Sequence, residues 1–248
     1  MHRLITIRAS HFCEKARWAL DAAGVKYVEE SHFPLLNRAF TVPKGGVTTP
    51  LLVCPDGKVL KDSNDIVRYA DAHLTAPSKL IPQEWEGDIA KWMDKANQIG
   101  IHSRRVVYFH LFKYMDSSVY ETLSDGVGTL EKVVGWSLLP LIKFAIKKGL
   151  RVDERGHNIS KEKLDKLLDE VDGQLEGKQY IVGNGFSAAD LAVASLLAPI
   201  IFPPFYGAHL PDFRESPPQV KALVEQYRAR PSGKHCMAMF SQLRKSKL

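Results

Sequence analysis

Residues 10–20 are SHFCEKARWAL, and the apolar run LITI lies shortly upstream at residues 4–7. The run predicts a short strand, and the stretch predicts a helix because its apolar residues recur every three or four positions. Ser10 is a typical first residue of a helix. Unpaired N–H groups and the helix dipole stabilise an anion at such a terminus. The stretch therefore predicts a place for a thiolate, either of Cys13 or of a bound thiol.

Two further motifs follow along the chain. VTTPLLV at residues 47–53 places Pro50 at the start of an apolar strand, the position that a residue without an N–H tolerates. KDSNDIVRY at residues 61–69 opens another helix, where Ser63 and nearby N–H groups suit a carboxylate and Asp62 suits an ammonium. Taken singly, each motif also fits a structural role as a helix cap or a strand entry.

Taken together, the three motifs and the hairpin sequence PDGK at residues 55–58 resemble the glutathione transferase superfamily. The resemblance implies a thioredoxin-like α/β N-terminal domain followed by an all-α helical C-terminal domain. It implies glutathione as the co-substrate, activated by the Ser10 hydroxyl. The resemblance also implies the binding sites. Thr49, which precedes a cis Pro50, would bind the cysteinyl part of glutathione, and Asp62 with Ser63 would bind its γ-glutamyl group.

Beyond residue 76 the strand signal disappears. Helices are expected at about 85–116, at 129–148 and from Ser160 onward, the last with a regular apolar period. Ser187, with Asp190 three positions later, resembles a capping box. The same block resembles the central C-terminal-domain helix of the transferase family, so we assign both residues to folding.

The expected organisation has four parts. They are a thioredoxin-like glutathione-binding domain over residues 1–76, a linker over 77–84, an all-helical domain over 85–240 and a basic tail over 241–248. The linker is indicated by the helix-ending sequence TAPS at residues 75–78. The resemblance also implies a homodimer.

The helical domain is expected to supply the pocket for a small hydrophobic electrophile. Candidate pocket residues are His11, Tyr108, Phe109 and Phe112. Aromatic residues at helical spacing also fit a hydrophobic core, so both interpretations stay open.

Cys13 offers an alternative chemistry. The sequence SHFC keeps the second cysteine of a CxxC motif and has Ser10 in place of the first, which favours a packed thiol at Cys13. The alternatives are a Cys13-dependent glutathione thiol-redox enzyme and a non-catalytic carrier of hydrophobic ligands on the same fold. Isomerisation of a maleyl-type substrate is less favoured, because His11 and Phe12 stand where that subclass has small residues.

Composition excludes several other classes. The net charge is +6, but lysines and arginines are spread along the chain without zinc-finger spacing, so no nucleic-acid partner is expected. The nine histidines show no metal-binding spacing, and no metal is expected. Three cysteines suggest no disulfide framework. No apolar run reaches the roughly 18 residues of a membrane span; residues 133–146 are expected to form a buried helix, with membrane-surface binding as the alternative.

The chain ends in Ser246, Lys247 and Leu248, which match a peroxisomal import signal. We therefore expect an exposed, disordered tail that binds the peroxisomal import receptor, and residence in the peroxisome or otherwise in the cytoplasm. The first residues show no secretory signal pattern.

Deleting Leu248 should leave an N-terminally tagged protein in the cytosol, because the receptor reads the terminal tripeptide. Fluorescence microscopy against a peroxisomal marker measures the change, with the unaltered tagged chain as the control. Import of the truncated protein at the control level contradicts the expectation.

Overall fold

The computed structural model describes residues 1–244. The N-terminal part contains one four-stranded sheet in the order β2-β1-β3-β4. Strands β1 and β2 are parallel, whereas β1 with β3 and β3 with β4 are antiparallel. The strands are β1 (His2–Thr6), β2 (Tyr27–Ser31), β3 (Leu51–Val53) and β4 (Val59–Leu60).

Three helices belong to this part of the chain. They are α1 (His11–Ala22), α2 (Arg38–Thr41) and α3 (Ser63–Ala72). Helix α1 is the crossover between the parallel strands, and it is buried almost throughout because it packs between α3 and the helical domain. A small mixed sheet with these helices confirms the expected thioredoxin-like class.

The rest of the described chain is helical. Its helices are α4 (Glu86–Tyr114), α5 (Val119–Ser124), α6 (Thr129–Leu150), α7 (Glu154–Gln174), α8 (Ala188–Ile201), α9 (Pro218–Ala229) and α10 (Pro231–Leu243). Every residue of α8 is buried, and α8 packs against α1, α4, α9 and α10. The expected all-helical C-terminal domain is therefore confirmed.

Two expected boundaries differ from the structure. Helix α7 begins at Glu154, before Ser160, because the Asp153 carboxylate accepts a hydrogen bond from Gly156 N at 2.6 Å and caps the helix there. Helix α10 continues to Leu243, so the first part of the expected tail is helical. Arg244 is also buried, and its Nε lies 2.7 Å from a carboxylate oxygen of Glu14. The import signal at 246–248 lies outside the described residues.

Helix α6 differs from the expected buried helix. Gly135, Ile142 and Ile146 are its buried residues, whereas large apolar side chains on the same helix face solvent. Trp136 and Phe144 are 66% and 61% exposed. None of the helices within residues 1–244 is long and apolar enough to cross a membrane.

Ser187 and Asp190 form the capping box of α8. The Asp190 carboxylate accepts hydrogen bonds from Ser187 N at 3.0 Å, from Ser187 Oγ at 3.0 Å and from Ile181 N at 2.8 Å. Both residues are buried, so water cannot replace these hydrogen bonds if one partner is removed.

Asp190→Ala should lower the free energy of unfolding by about 3 kcal/mol, because it leaves buried N–H groups without acceptors. Urea denaturation followed by circular dichroism measures the loss. Asp212→Ala is the control, since Asp212 caps the short exposed turn Phe213–Glu215 and its removal should change stability little. Equal losses in the two variants contradict the assignment of Asp190 to folding.

Candidate active site

Ser10 is the N-cap of α1, with an extended backbone at φ −71° and ψ 127°. Its carbonyl accepts the first helical hydrogen bond, from Glu14 N at 2.9 Å. Its side chain makes no capping hydrogen bond within the described chain, and the residue is partly exposed. The hydroxyl is therefore not used for capping; it lies at the positive end of the helix dipole and hydrogen-bonds the Cys13 thiol.

Thr49 lies beside Ser10, and both residues act on the same thiol. The Cys13 side chain is fully buried, and burial raises its pKa; nearby Arg17 and side-chain hydrogen bonds with Ser10 and Thr49 partly oppose that shift. The peptide bond between Thr49 and Pro50 is cis, as the resemblance implied. The turn between β1 and α1 and the loop before Pro50 therefore lie next to each other.

The N-terminus of α3 carries the expected γ-glutamyl residues. Asp62 is exposed and caps the helix by accepting a hydrogen bond from Asn64 N at 2.7 Å. Ser63 is the first helical residue and is 2% exposed. The second oxygen of Asp62 and the N–H groups of the first turn remain suited to an ammonium and a carboxylate.

Lys15 connects this terminus to the helical domain. Its Nζ donates to Asn64 Oδ1 at 2.6 Å and to Asn97 Oδ1, on α4, at 2.9 Å. Burial lowers the pKa of Lys15 to about 7, against the opposing effect of Asp62 and Asp94. Helix α4 is therefore fixed against the predicted γ-glutamyl site.

Gly100 brings α4 close to the start of α1. A Cβ at this position would lie 2.8 Å from Phe12 Cζ, so a larger residue would force the helices apart. The Gly100 carbonyl accepts a hydrogen bond from His11 Nε2 at 2.9 Å. Burial, with a smaller effect of Arg104, lowers the pKa of His11 to about 3, which leaves its imidazole neutral at pH 7.

A cavity of about 440 Å³ opens beside Ser10. Ser10, Thr48 and Thr49 line one end of it. Most of the remaining wall is apolar and comes from α4, α5, α6, α8, α9 and the segments between helices. Its apolar residues include Val107, Leu111, Met115, Leu123, Ile146, Ile200, Leu223 and Val224. The arrangement can hold an apolar molecule next to a polarised hydroxyl.

Of the four pocket candidates, His11 and Tyr108 line this cavity. Phe109 and Phe112 do not belong to its wall. Phe109 lies about 100° around α4 from Tyr108 and stacks on His157, with ring centroids 4.3 Å apart. Phe112 is 8% exposed and packs in a second apolar cluster. Phe112 therefore follows the core interpretation that the helical spacing also allowed, whereas Phe109 is only partly buried.

The other predicted site residues lie around the cavity rather than in its wall. Cys13 is buried behind Ser10, and Pro50, Asp62 and Ser63 are not among the residues that line this space. The sequence interpretation missed Arg104 and His110, which do line it. A signal existed for Arg104, because it precedes Tyr108 by four residues and so shares its helix face.

A thioredoxin-like domain whose first helix begins at an apolar cavity of a helical domain defines a two-domain class of protein. The family model described as the glutathione S-transferase N-terminal domain matches residues 9–73, and the one described as the C-terminal domain matches residues 137–231. Together the two matches cover more than half of the chain. The chain belongs to the glutathione S-transferase superfamily.

Solved structures agree on the fold. A glutathione S-transferase from Methylobacillus flagellatus with GSH bound is 21% identical, with 95% of this chain and 98% of that chain covered and a TM-score of 0.56. The β-etherase LigF from Sphingobium is 16% identical, with 96% of this chain and 98% of that chain covered and a TM-score of 0.57. Leishmania TDR1, described as a unique trimeric glutathione transferase, is 19% identical, with 98% of this chain and 46% of that chain covered and a TM-score of 0.53. No curated protein matches by sequence.

In the native protein, none of the three cysteines should react with a thiol reagent at pH 7.5 within minutes, whereas all three should react after unfolding. The reason is that Cys13, Cys54 and Cys236 are buried and that burial raises the pKa of each thiol, which keeps it protonated. Ellman's reagent with and without guanidinium measures this. A fast native reaction that disappears in Cys13→Ala contradicts the packed-thiol assignment.

Proposed function

We propose that the protein is a glutathione transferase in which Ser10 donates a hydrogen bond to the thiolate of glutathione. The observation that carries this proposal is the position of Ser10. Its hydroxyl is free of a capping hydrogen bond, stands at the N-terminus of a twelve-residue helix and borders the apolar cavity.

The energetics are sufficient for this role. A free thiol has a pKa of about 8.5, and lowering it by about two units requires about 2.7 kcal/mol of preferential thiolate stabilisation. A hydrogen bond to a charged acceptor contributes about 1.5–3 kcal/mol, and a helix N-terminus contributes up to about 1 kcal/mol at an exposed site. Ser10 and α1 together supply the required amount.

The proposed reaction follows from this geometry. The thiolate sulfur attacks an electrophilic carbon of a hydrophobic co-substrate in the cavity, and the leaving group departs with its electron pair. Holding both reactants in one place supplies much of the acceleration. An organic hydroperoxide is a further candidate: its O–O bond breaks to give an alcohol and a sulfenic acid of glutathione, which a second glutathione converts to the disulfide and water.

Two alternatives use the same fold. A thiol-redox enzyme needs a reactive Cys13, but the thiol is fully buried and its pKa is raised, which opposes thiolate formation. A non-catalytic carrier needs the apolar cavity alone. The position of Ser10 at the cavity and the exposed Asp62 at α3 favour retention of a glutathione site over the carrier.

Two further parts of the proposal concern the protein in the cell. Peroxisomal residence, with binding to the import receptor, rests on the sequence of Ser246, Lys247 and Leu248. A homodimer rests on the family resemblance. In a peroxisome, organic hydroperoxides become an appropriate substrate class for the chemistry above, and detoxification becomes the corresponding role.

Ser10→Ala should lower kcat/KM for a model electrophile roughly 10- to 100-fold, the loss expected for one hydrogen bond to a charged group. The pKa of the bound glutathione thiol should rise by about one to two units, because the variant loses part of the thiolate stabilisation. Turnover of 1-chloro-2,4-dinitrobenzene and cumene hydroperoxide, with thiolate absorbance against pH, measures both effects.

Ser137→Ala is the matched control, since Ser137 is an exposed serine on α6 that bonds its own helix. Cys13→Ala should retain the rate of the unaltered protein. Loss of rate in Cys13→Ala alone assigns the protein to the thiol-redox class. Glutathione binding without turnover in any form favours the carrier.

A further inference from the structure

Arg104 is a cation in the wall of the cavity. It lies on α4, and its guanidinium carbon is 5.9 Å from the centroid of the Phe12 ring, two residues after Ser10. It is only partly exposed, and its charge also acts on the neighbouring His11. The guanidinium therefore stands at the thiol end of the cavity.

Arg104 has no partner for its charge in the described chain. Its Nε is buried without a hydrogen bond, and the side chains that act on its pKa are Tyr108 and Arg105, neither of them a carboxylate. The fully buried arginines are different. Arg17 and Arg244 each form two ion pairs at 2.7–3.0 Å.

The cavity wall offers no compensation either. Among the residues that line it within the described chain there is no aspartate or glutamate, while Arg38 adds a second cation at an exposed position. Burying a guanidinium without a counter-ion is unfavourable, and burial lowers the pKa of Arg104 accordingly. An anion in the cavity would remove that penalty.

We propose that Arg104 binds the carboxylate of the co-substrate, so that this enzyme takes apolar monocarboxylates as its second substrate. The inference rests on the proposed function, since it names the substrate class of the same site. A planar guanidinium matches a carboxylate through two parallel hydrogen bonds. Arg38 is exposed to water, so among the cations of the described wall Arg104 is the one that needs a counter-ion inside the cavity; a monoanion balances it, whereas a dianion would leave excess charge buried.

The position of Arg104 separates it from the γ-glutamyl end of glutathione. Asn97 lies beside Lys15 and Asn64 at the α3 terminus, and Arg104 is seven residues further along α4. At 1.5 Å per residue this distance is about 10 Å, and it runs past Gly100 and His11 into the cavity. The same helix thus contacts both predicted subsites, at positions about two turns apart.

The role in the reaction is positional. With its carboxylate at Arg104, an apolar co-substrate has its reactive atom held within the part of the cavity that Ser10 borders. Arg104 is therefore expected to set KM and specificity for acids, and to leave activation of the thiol to Ser10.

The first test uses binding without glutathione or turnover. Octanoate and 1-octanol have the same apolar chain, and isothermal titration compares them on the unaltered protein, Arg104→Met, Arg104→Lys and Arg38→Met. Arg104→Met should weaken octanoate binding at least about 10-fold and 1-octanol binding less than about 3-fold. Arg104→Lys should weaken octanoate less than Arg104→Met does, because it keeps the charge.

Thermal unfolding supplies a second readout that a structural arginine would not give. Without ligand, Arg104→Met should have a higher Tm than the unaltered protein, because an unpaired buried cation is removed. At the same concentration, octanoate should raise the Tm of the unaltered protein by more than that of the variant. If Arg104→Met does not fold, Arg104→Gln replaces it in both measurements.

Several results overturn the inference. They are equal losses for octanoate and 1-octanol, unchanged octanoate binding in Arg104→Met, a loss confined to Arg38→Met, or a lower Tm of ligand-free Arg104→Met.

Turnover assays distinguish whether Arg104 binds the carboxylate of the co-substrate or a carboxylate of glutathione. Thiolate displacement of chloride from 4-(chloromethyl)benzoate is compared with the same reaction of its methyl ester. Arg104→Met should lower kcat/KM at least about 10-fold for the acid and less than about 3-fold for the ester, with the KM for glutathione unchanged. A raised KM for glutathione with no preference between acid and ester overturns the inference.

Failure of the proposed function gives a different pattern. In that case the unaltered protein turns over neither the acid nor the ester, while the octanoate titrations still decide the role of Arg104.

Discussion

The charged residues buried on α1 fix the rest of the structure. Glu14, Lys15 and Arg17 lie on a helix enclosed on nearly all sides, so each must have a partner in place of water. Their partners come from distant parts of the chain: Arg17 binds Glu29 on β2, Lys15 binds side chains on α3 and α4, and Glu14 binds Arg244 after α10. Removing one partner of such a pair typically costs about 3–5 kcal/mol. Helix α1, and with it Ser10, is therefore held in one position.

That constraint explains why the site lies where the two domains meet. The N-terminal domain supplies Ser10 and Thr49, but most of the apolar wall comes from the helical domain, from α4, α5, α6, α8 and α9. Gly100 permits the close approach of α4 that joins the two contributions. The Ser10 hydroxyl can act on a molecule in the apolar cavity only if the two are adjacent. The ion pairs of α1 hold them in that arrangement.

Local signals predicted the elements that depend on local structure. Pro50 before an apolar run, and Ser187 with Asp190, identified a strand start and a helix cap because neighbouring residues alone determine these features. Arg244 and the exposed face of α6 were not predictable in this way. Arg244 is 230 residues from Glu14, and the apolar pattern of α6 does not reveal that much of it lacks a packing partner. At the site, the sequence identified polar candidates, whereas the choice between wall and core for Tyr108 and Phe109 required the orientation of α4.

The distribution of charge along α4 gives the site a direction. At the α3 terminus the local charges are Asp62 and Asp94, which oppose the loss of the Lys15 proton. Further along α4, the described part of the cavity wall contains no carboxylate. Arg104 lies there in an apolar wall, next to a neutral His11. A ligand with an ammonium group is therefore attracted to one end, and a ligand with a carboxylate on an apolar body to the other. In the proposed reaction, this gradient places glutathione and the acidic co-substrate at opposite ends of the site, and Ser10 activates the thiol between them.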